Sequence, residues 1–260
     1  ILCESLKRHL LNDNEGRSGV LVRGVTRGID QKQLIKRLKS QLKNQDQEEQ
    51  ALLSELRQHT LAGGYYLVNY EGYEGYEPGD NVVQIFAMGP MGTEALVASD
   101  LLLEQGIYAN VIIVTSPDLL VGNLAYENDF YHLRHTLNIN SNLYLQPQMN
   151  GNPTPGELVT LAGRRVPIVS VHDGEPGLLD NIGSIVGVKH EAQAVRKHSR
   201  CGLPKEVYQY HKIDGESVRD ACIKVLAETA LEQVKVNSTT LTKLEPQVTG
   251  SWQQLWPHKP

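Results

Sequence analysis

Two polar residues directly follow an apolar segment in the second half of the chain. His172 and Asp173 come after Val166–Val171, which has the apolar character of a buried strand. Ligands of open parallel sheets collect beyond the carboxyl ends of the strands, so an imidazole and a carboxylate at this position are candidates for general acid–base catalysis. The alternative is a polar turn in which Asp173 caps the following helix. No G-x-S-x-G motif accompanies the pair, which argues against a serine hydrolase.

A pair of histidines raises the question of a metal site. His132 and His135 are three residues apart and would share one face of an α-helix, where Glu127 or Asp129 could complete a ligand set. The alternative, which we favour, places both histidines at polar positions of a helix or an interface. We expect no metal ligand in this chain and no obligatory catalytic residue, with His172 and Asp173 as the weak candidates.

The segment MGPMGTE connects a predicted strand to a predicted helix but lacks the spacing of a phosphate-binding loop. Gly89 and Gly92 match neither G-x-G-x-x-G nor G-x-x-x-x-G-K-[ST]. Pro90 has no N–H to donate, and Glu94 would repel a phosphate at the start of the helix. We therefore expect a tight turn in which Thr93 caps the helix, and no cofactor-binding residue.

Basic and aromatic segments are candidates for anion or nucleic-acid sites. The segment QKQLIKRLKSQLK has five cations and no acid, which fits either an anion-binding face or, as we favour, a solvated linker helix. The run GGYYLVNYEGYEGYEPGD interleaves its aromatic rings with acids instead of cations, so single-stranded nucleic acid is disfavoured. These tyrosines instead predict an exposed protein interface: Tyr65, Tyr66, Tyr70, Tyr73 and Tyr76.

The composition is that of an ordinary globular protein without an affinity for polyanions. A formal charge of -5 gives no global positive field for nucleic acid or membranes. Three scattered cysteines, Cys3, Cys201 and Cys222, form no C-x-x-C pair, which disfavours a disulfide framework or zinc site and indicates a reducing, cytoplasmic setting. No apolar run reaches the roughly 18 residues of a membrane span. The chain opens ILCESLKRHLL, without methionine and already in a helical pattern, and we interpret it as a piece of a longer polypeptide.

The apolar periodicity predicts an α/β fold: a three-layer domain with a mainly parallel sheet covered on both faces. Strands are predicted at Val20–Val25, in GGYYLVNY, at Asn81–Met88, Val111–Thr115 and Val166–Val171, with an edge strand at His190–Arg196. Helices are predicted over residues 31–58, where the stretch Asn44–Gln50 is either solvated or broken, and at Thr93–Gln105, Leu178–Val186 and Glu216–Val234. The unit from Asn81 to Thr115 is strand, helix and strand, which requires two parallel strands.

The order of four segments resembles the C-terminal domain of transketolase-like, thiamine-diphosphate-dependent enzymes. These segments are LAGGYYLVNYEG, NVVQIFAMGPMGTEALVASDLLLEQGIYANVIIVTSPDLL, DFYHLRHTL and VPIVSVHDGEPGLLDNIG, and the similarity spans about Leu56–Ala230. The similarity is greatest to the homodimeric pyruvate dehydrogenase component of 2-oxo acid dehydrogenase complexes. Two segments depart from that pattern. Met88 and Pro90 stand where serines are common, and Arg134-His135-Thr136 replaces a Leu-His-Pro segment.

The resemblance implies a division of the chain into four parts. Residues 1–30 would be the tail of an upstream pyrimidine-binding domain, 31–60 a linker helix region, 61–234 the transketolase-like C-terminal domain, and 235–260 an extended tail. The resemblance places thiamine diphosphate, Mg²⁺ and the activating glutamate in upstream domains of the same chain, so these 260 residues would bind no cofactor and be inactive alone.

The activity implied by the resemblance is decarboxylation of pyruvate or a related 2-oxo acid, with transfer of the acyl group to a lipoyl carrier. The implied partners are a second copy of the chain and an acyltransferase component of a multienzyme complex, with no nucleic acid and no membrane. One alternative is transketolase, which moves ketol units between sugar phosphates and for which Arg164 and Arg165 are the nearest basic pair. The other is a stand-alone dimerisation or regulatory module.

Overall fold

A five-stranded sheet with strand order β1-β3-β2-β4-β5 forms the centre of the molecule. The computed structural model describes residues 21–22, 24, 31–139 and 165–239. The three middle strands, β2 (Val82–Met88), β3 (Tyr108–Val114) and β4 (Ile168–Val171), are almost entirely buried. They run parallel, as their continuous apolar character predicts for strands that are covered on both faces.

The two edge strands differ in direction. β5 (His190–Gln193) extends the parallel sheet beside β4, as predicted for this edge. β1 (Gly64–Val68) pairs antiparallel with β3, with a register shift between Tyr66 and Val68. The sheet is therefore mainly parallel, with one antiparallel strand whose position, but not direction, was predicted from the sequence.

Helices cover both faces of the sheet, which gives the predicted three-layer α/β architecture. Alternate residues of β2 point to opposite faces, as the two-residue period of a strand requires: Val83, Ile85 and Ala87 pack in one core cluster and Phe86 in the other. The first cluster is closed by α3 (Gly92–Leu103) and α8 (Gly215–Thr239), and the second by short helices that precede and follow β4. In α8 the predicted inward positions Val218, Cys222 and Val225 are fully buried.

The connection between β2 and β3 confirms the predicted strand–helix–strand unit. A 3₁₀ turn (Gly89–Met91) leads into α3, and the helix ends before Gly106, which has a φ of 75°. That left-handed conformation is readily adopted by glycine. β3 begins at Tyr108, three residues earlier than predicted, because the strand includes the half-buried tyrosine ahead of its apolar run.

The segment before the sheet is a broken helix that is docked on the first edge of the domain. The elements are α1 (Gln31–Lys39), a 3₁₀ turn (Leu42–Asn44) and α2 (Glu49–Ala62), so of the two alternatives for the polar stretch the structure has the broken helix. Gln41 is buried between them, where its amide N–H donates to Leu67 O (2.8 Å) and its Oε1 accepts from Asn69 N (3.0 Å). The segment is thus attached by hydrogen bonds to the backbone at the end of β1.

The other described elements are short. They are α4 (Pro117–Leu120), α5 (Asn123–Tyr126), a π-helix (His132–Thr136), a 3₁₀ turn (Pro176–Leu178), α6 (Ile182–Val186) and α7 (Pro204–His211). The helix predicted for Leu178–Val186 is present only over its second half, as α6, because Leu179–Asn181 separate it from the 3₁₀ turn. None of the described helices combines the length and apolar content that a bilayer crossing needs.

Some predictions fall on residues outside the described ranges. They concern the N-terminal helix, most of the strand at Val20–Val25, Cys3, Arg164 and residues 240–260. α8 continues through Thr239, which corrects the prediction that the extended tail begins at residue 235.

Candidate functional site

The carboxyl edge of the sheet contains the point where the strand order reverses. β3 lies on one side of β2 and β4 on the other, so the connections that leave β2 and β3 lead to opposite sides of the central strand. Ligands of doubly wound α/β domains bind in the crevice outside the carboxyl ends at such a point. Here the crevice is bordered by Gly89 and Pro90 after β2 and by His172 and Asp173 after β4. The structure therefore places the predicted His–Asp pair at the expected edge.

His172 is fully buried, and its backbone and side chain are both fixed by hydrogen bonds. Its N–H donates to Gln193 O of β5 (3.1 Å), and its Nδ1 accepts from Gly174 N (3.3 Å). A ring that accepts through Nδ1 carries its proton on Nε2 when it is neutral. A Cβ at Gly174 would lie 2.8 Å from Leu178 Cδ1 and 3.4 Å from this Nδ1. The turn thus holds His172 as an Nε2–H donor, with Asp173 half-buried beside it.

Two further polar residues lie next to His172 on the last two strands, and the sequence analysis missed both. Ser170 is two residues earlier on β4, and its Oγ is 2.9 Å from Nε2 of His190 on β5. Ser170 is fully buried, and a serine inside the apolar strand IVSV was the signal that a polar partner had to lie opposite it. The close packing of α6 also requires glycine here, because a Cβ at Gly183 would overlap Cβ of His190.

Burial affects the protonation of His190, which lies beside Ser170. Desolvation lowers the pKa of His190 below its ordinary value, and this outweighs the opposing effects of a backbone hydrogen bond with Asp180 and of the Asp180 and Glu191 charges. The pKa of His190 is further lowered by His172. Burial therefore favours the neutral form of the His190 imidazole, which is hydrogen-bonded to the buried Ser170 hydroxyl.

The turn after β2 does not act as the sequence analysis predicted. Thr93 is not the cap of α3, since the helix begins at Gly92 and the Thr93 hydroxyl donates to Pro90 O (3.1 Å). Glu94 has a structural role instead: its Oε2 accepts from the N–H of Gly215 (3.1 Å), the first residue of α8. A carboxylate at the N-terminus of a helix satisfies an unpaired N–H and complements the helix dipole.

The structure does not assemble the histidine pair into a metal site. His132 and His135 lie in a π-helix, whose hydrogen bonds span five residues, so the α-helical face assumed for them is absent. His132 Nε2 donates to Gly64 O (2.8 Å), and Asp129 is paired with Arg134 (2.6 Å). Among the described residues, no three His, Cys, Asp or Glu side chains are placed to hold a metal ion.

The tyrosine run packs inward, which corrects the prediction that its rings are exposed. Tyr70 is buried, and Tyr73 and Tyr76 are half-buried against the first core cluster. Tyr70 and Tyr76 each make an edge-to-face contact with Tyr108, with ring centroids 5.5 and 5.6 Å apart. The rings thus cover the amino edge of the sheet, and the glutamates between them face solvent.

Two other candidate positions lie away from the carboxyl edge. Arg165 is exposed and precedes β4, so it lies at the opposite end of this strand from His172. A cavity of about 90 Å³ lies between α2 and β1, where Glu55, His59 and Tyr65 are among its lining residues. Neither position adjoins the His–Asp turn in sequence or along its strand.

The turn between β2 and α3 does not fit a diphosphate group. A diphosphate is bound by consecutive backbone N–H groups at a helix N-terminus, but Pro90 lacks this donor and the Glu94 carboxylate occupies the first turn of α3. No step through thiamine diphosphate is therefore assigned to this part of the chain. The fold and the site together define an α/β domain with a mainly parallel sheet and a histidine-containing carboxyl edge.

Comparisons with known proteins place transketolases among the structures similar to this chain. No protein-family model and no curated protein matches the sequence. A Pichia stipitis transketolase R356L mutant with fructose 6-phosphate is similar over 66% of this chain, at 17% identity and a TM-score of 0.40. The Leishmania mexicana transketolase matches 67% of the chain at 14% identity and a TM-score of 0.41. A split-gene transketolase, described as an inactive "beta4" tetramer, is similar over 64% of this chain, at 18% identity and a TM-score of 0.36.

The matched part is a small fraction of these proteins. The chain covers 19% of the Pichia stipitis and Leishmania mexicana enzymes and 43% of the split-gene subunit. At these identities and TM-scores, the similarities do not define a family, an activity or a substrate for this chain.

Proposed function

We propose that this chain is the C-terminal, subunit-assembly region of a thiamine-diphosphate-dependent 2-oxo acid dehydrogenase of the pyruvate dehydrogenase kind. The parent enzyme would decarboxylate pyruvate or a related 2-oxo acid and pass the acyl group to the lipoyl carrier of an acyltransferase component. Thiamine diphosphate and Mg²⁺ would be bound by upstream domains of the same polypeptide. Two copies would associate.

One observation carries the proposal: the four resembling segments contain four of the five strands of one α/β sheet. LAGGYYLVNYEG covers the end of α2 and β1, and the long second segment covers β2, α3, β3 and α4. DFYHLRHTL contains the π-helix, and VPIVSVHDGEPGLLDNIG contains β4 and the His172 turn.

The proposed role of His172 and Asp173 is to border the entrance to the active site without being obligatory for chemistry. The ring of His172 is fixed by the hydrogen bond that its Nδ1 accepts from Gly174 N, so it can orient the residues around the strand end. Transketolase remains the alternative activity, but Arg165 lies at the amino end of β4, away from the edge at which a sugar phosphate would have to be bound.

The test is an assay of the natural polypeptide that contains this sequence. Purified enzyme is supplied with thiamine diphosphate, Mg²⁺, pyruvate and an artificial electron acceptor, and decarboxylation is measured. We expect turnover with a 2-oxo acid. Ketol transfer between sugar phosphates without 2-oxo acid turnover would instead favour transketolase. A natural polypeptide that lacks upstream domains and both activities would favour the stand-alone module.

A further inference from the structure

A loop after β5 concentrates positive charge at the carboxyl edge of the sheet. This basic loop, Arg196–Leu203, contains three Lys or Arg and one His but no acid, and α7 follows it. Its first five residues are exposed, and its apolar residue Leu203 is 68% exposed. An exposed loop with several cations and no acid is electrostatically complementary to a negatively charged surface of a partner.

Two cations of the basic loop are held against one aromatic ring. Lys197 Nζ lies 3.6 Å from the centroid of the Tyr210 ring on α7, and Arg200 Cζ lies 4.5 Å from it. His211, the next residue of α7, is buried, and its Nε2 is 2.9 Å from Ser199 Oγ in the same loop. Cation–π contacts fix the positions of the charges without neutralising them. Within the described ranges, no carboxylate lies within 4 Å of Lys197 or Arg200.

The opposite edge of the same chain presents regularly spaced negative charge. Between Arg57 and Arg134 the sequence has ten Asp or Glu and no Lys or Arg. Four of these acids are exposed in the Tyr-Glu-Gly repeat at Tyr70–Asp80, here called the acidic turns: Glu71, Glu74, Glu77 and Asp80.

The repeat itself explains why these carboxylates face outward. Each tyrosine packs on the core, and Gly72 and Gly75 have φ values of 90° and 78°, which reverse the chain after each glutamate. Backbone hydrogen bonds from Tyr73 N to Tyr70 O and from Tyr76 N to Tyr73 O close the successive turns. The carboxylates are therefore presented by a scaffold that is already ordered, so binding requires little further loss of backbone entropy.

The two charged surfaces cannot meet within one molecule. The acidic turns follow β1 and the basic loop follows β5, and these are the two edges of the sheet. Five strands at about 4.8 Å spacing separate the edges by roughly 20 Å. We propose that the basic loop of one copy of this chain binds the acidic turns of a second copy. This contact rests on the proposed function in one respect, since it specifies how two copies of the chain associate. It does not depend on the cofactor or the reaction.

Charge reversal provides a direct test on this chain. Lys197→Glu with Arg200→Glu gives a loop variant, and Glu74→Lys with Glu77→Lys gives a turn variant. Each variant opposes like charges across the contact, so we expect each to self-associate at least about tenfold more weakly than the unaltered chain, as measured by sedimentation velocity at low salt. A 1:1 mixture of the two restores opposite charges where a loop variant meets a turn variant, and should associate more tightly than either variant alone.

Matched controls separate this contact from a change of net charge. Lys36→Glu with Lys43→Glu, and Asp46→Lys with Glu48→Lys, alter net charge equally at exposed positions of the N-terminal segment, and self-association should stay within about twofold of the unaltered chain. Circular dichroism establishes that each variant is folded. Because the contact is exposed, raising the salt to about 0.5 M should weaken it.

Three results would overturn the proposal. The first is unchanged self-association of both charge-reversal variants. The second is a mixture that associates no better than either variant alone. The third is a monomeric unaltered chain whose basic loop binds a short single-stranded oligonucleotide, which would assign the loop to nucleic acid. The enzyme assay is a separate measurement, so failure of this contact and failure of the proposed function are distinguishable.

Discussion

Glu94, in the first turn of α3, accepts a hydrogen bond from the backbone N–H of Gly215, the first residue of α8, over a distance of 3.1 Å. The two helices pack side by side on one face of the sheet. A Cβ at Gly215 would lie 2.7 Å from Val97 Cγ1 of α3, so the helices approach too closely for any other residue at this position. One carboxylate therefore fixes the start of the longest described helix and joins it to the central strand–helix–strand unit.

Replacement of Glu94 should destabilise the domain without altering its architecture. Glu94→Ala leaves the Gly215 N–H without this acceptor and removes a negative charge from two helix N-termini. We expect a loss of about 1–2 kcal/mol in the free energy of unfolding. Glu94→Gln keeps a neutral acceptor and should lose less than half as much. Urea unfolding measures both values, and equal stability of Glu94→Ala and the unaltered chain would contradict the assigned role.

Gln41 should be required for docking of the N-terminal helical segment. The register shift in β1 leaves Leu67 O and Asn69 N outside the regular ladder, and the Gln41 amide bonds both. Gln41→Leu keeps the volume but removes a partner from each of these backbone groups, which should cost about 1–3 kcal/mol. Gln45→Leu, at an exposed position, is the control and should change the free energy of unfolding by less than about 0.5 kcal/mol. Equal effects of the two substitutions would argue against the docking role.

The difference between predicted and observed structure has a physical pattern. β2 and β4 were predictable because apolar continuity is a local property, and the polar stretch near Asn44 marked the place where the helix was either solvated or broken. The antiparallel direction of β1 was not, because its apolar pattern is compatible with pairing in either direction. His172 and Asp173 were predictable at a strand end. His190 and Ser170 were not paired in advance, because their contact depends on the register between β4 and β5.

Errors at Thr93 and in the tyrosine run share one cause. A threonine beside a glycine turn has good capping propensity, but the observed helix starts one residue earlier and the long-range acceptor Glu94 satisfies a different helix. Tyrosines interleaved with glutamates have the sequence pattern of an exposed segment. The glycines reverse the chain often enough for every ring of the repeat to face the core. Contacts with distant parts of the chain therefore determined both the start of α3 and the burial of the tyrosine rings.

Stability should fall in mildly acidic solution because three half-buried histidines resist protonation. Burial lowers the pKa of His59, His132 and His190 below the ordinary 6.5. Between each lowered pKa and 6.5, the unfolded state binds more protons than the folded state, so the free energy of unfolding decreases as the pH falls through this window. Urea unfolding at about pH 7.5 and about pH 5.5 measures the decrease. His190→Asn removes one titrating group, so its stability should change less between the two conditions. An unchanged pH dependence in that variant would show that His190 does not contribute.

His172 supplies the prediction that bears most directly on the proposed site. If His172 only borders the entrance and orients its surroundings, the parent enzyme carrying His172→Gln should lose less than about a hundredfold in kcat/KM, the lower end of what general acid–base catalysis contributes. The effect should be in KM more than in kcat, because a fixed hydrogen-bond donor at an entrance acts on binding. The pH profile of kcat should keep its shape. A loss larger than about a hundredfold in kcat, with one limb of the pH profile removed, would make His172 a catalytic acid or base and contradict the assignment to the entrance.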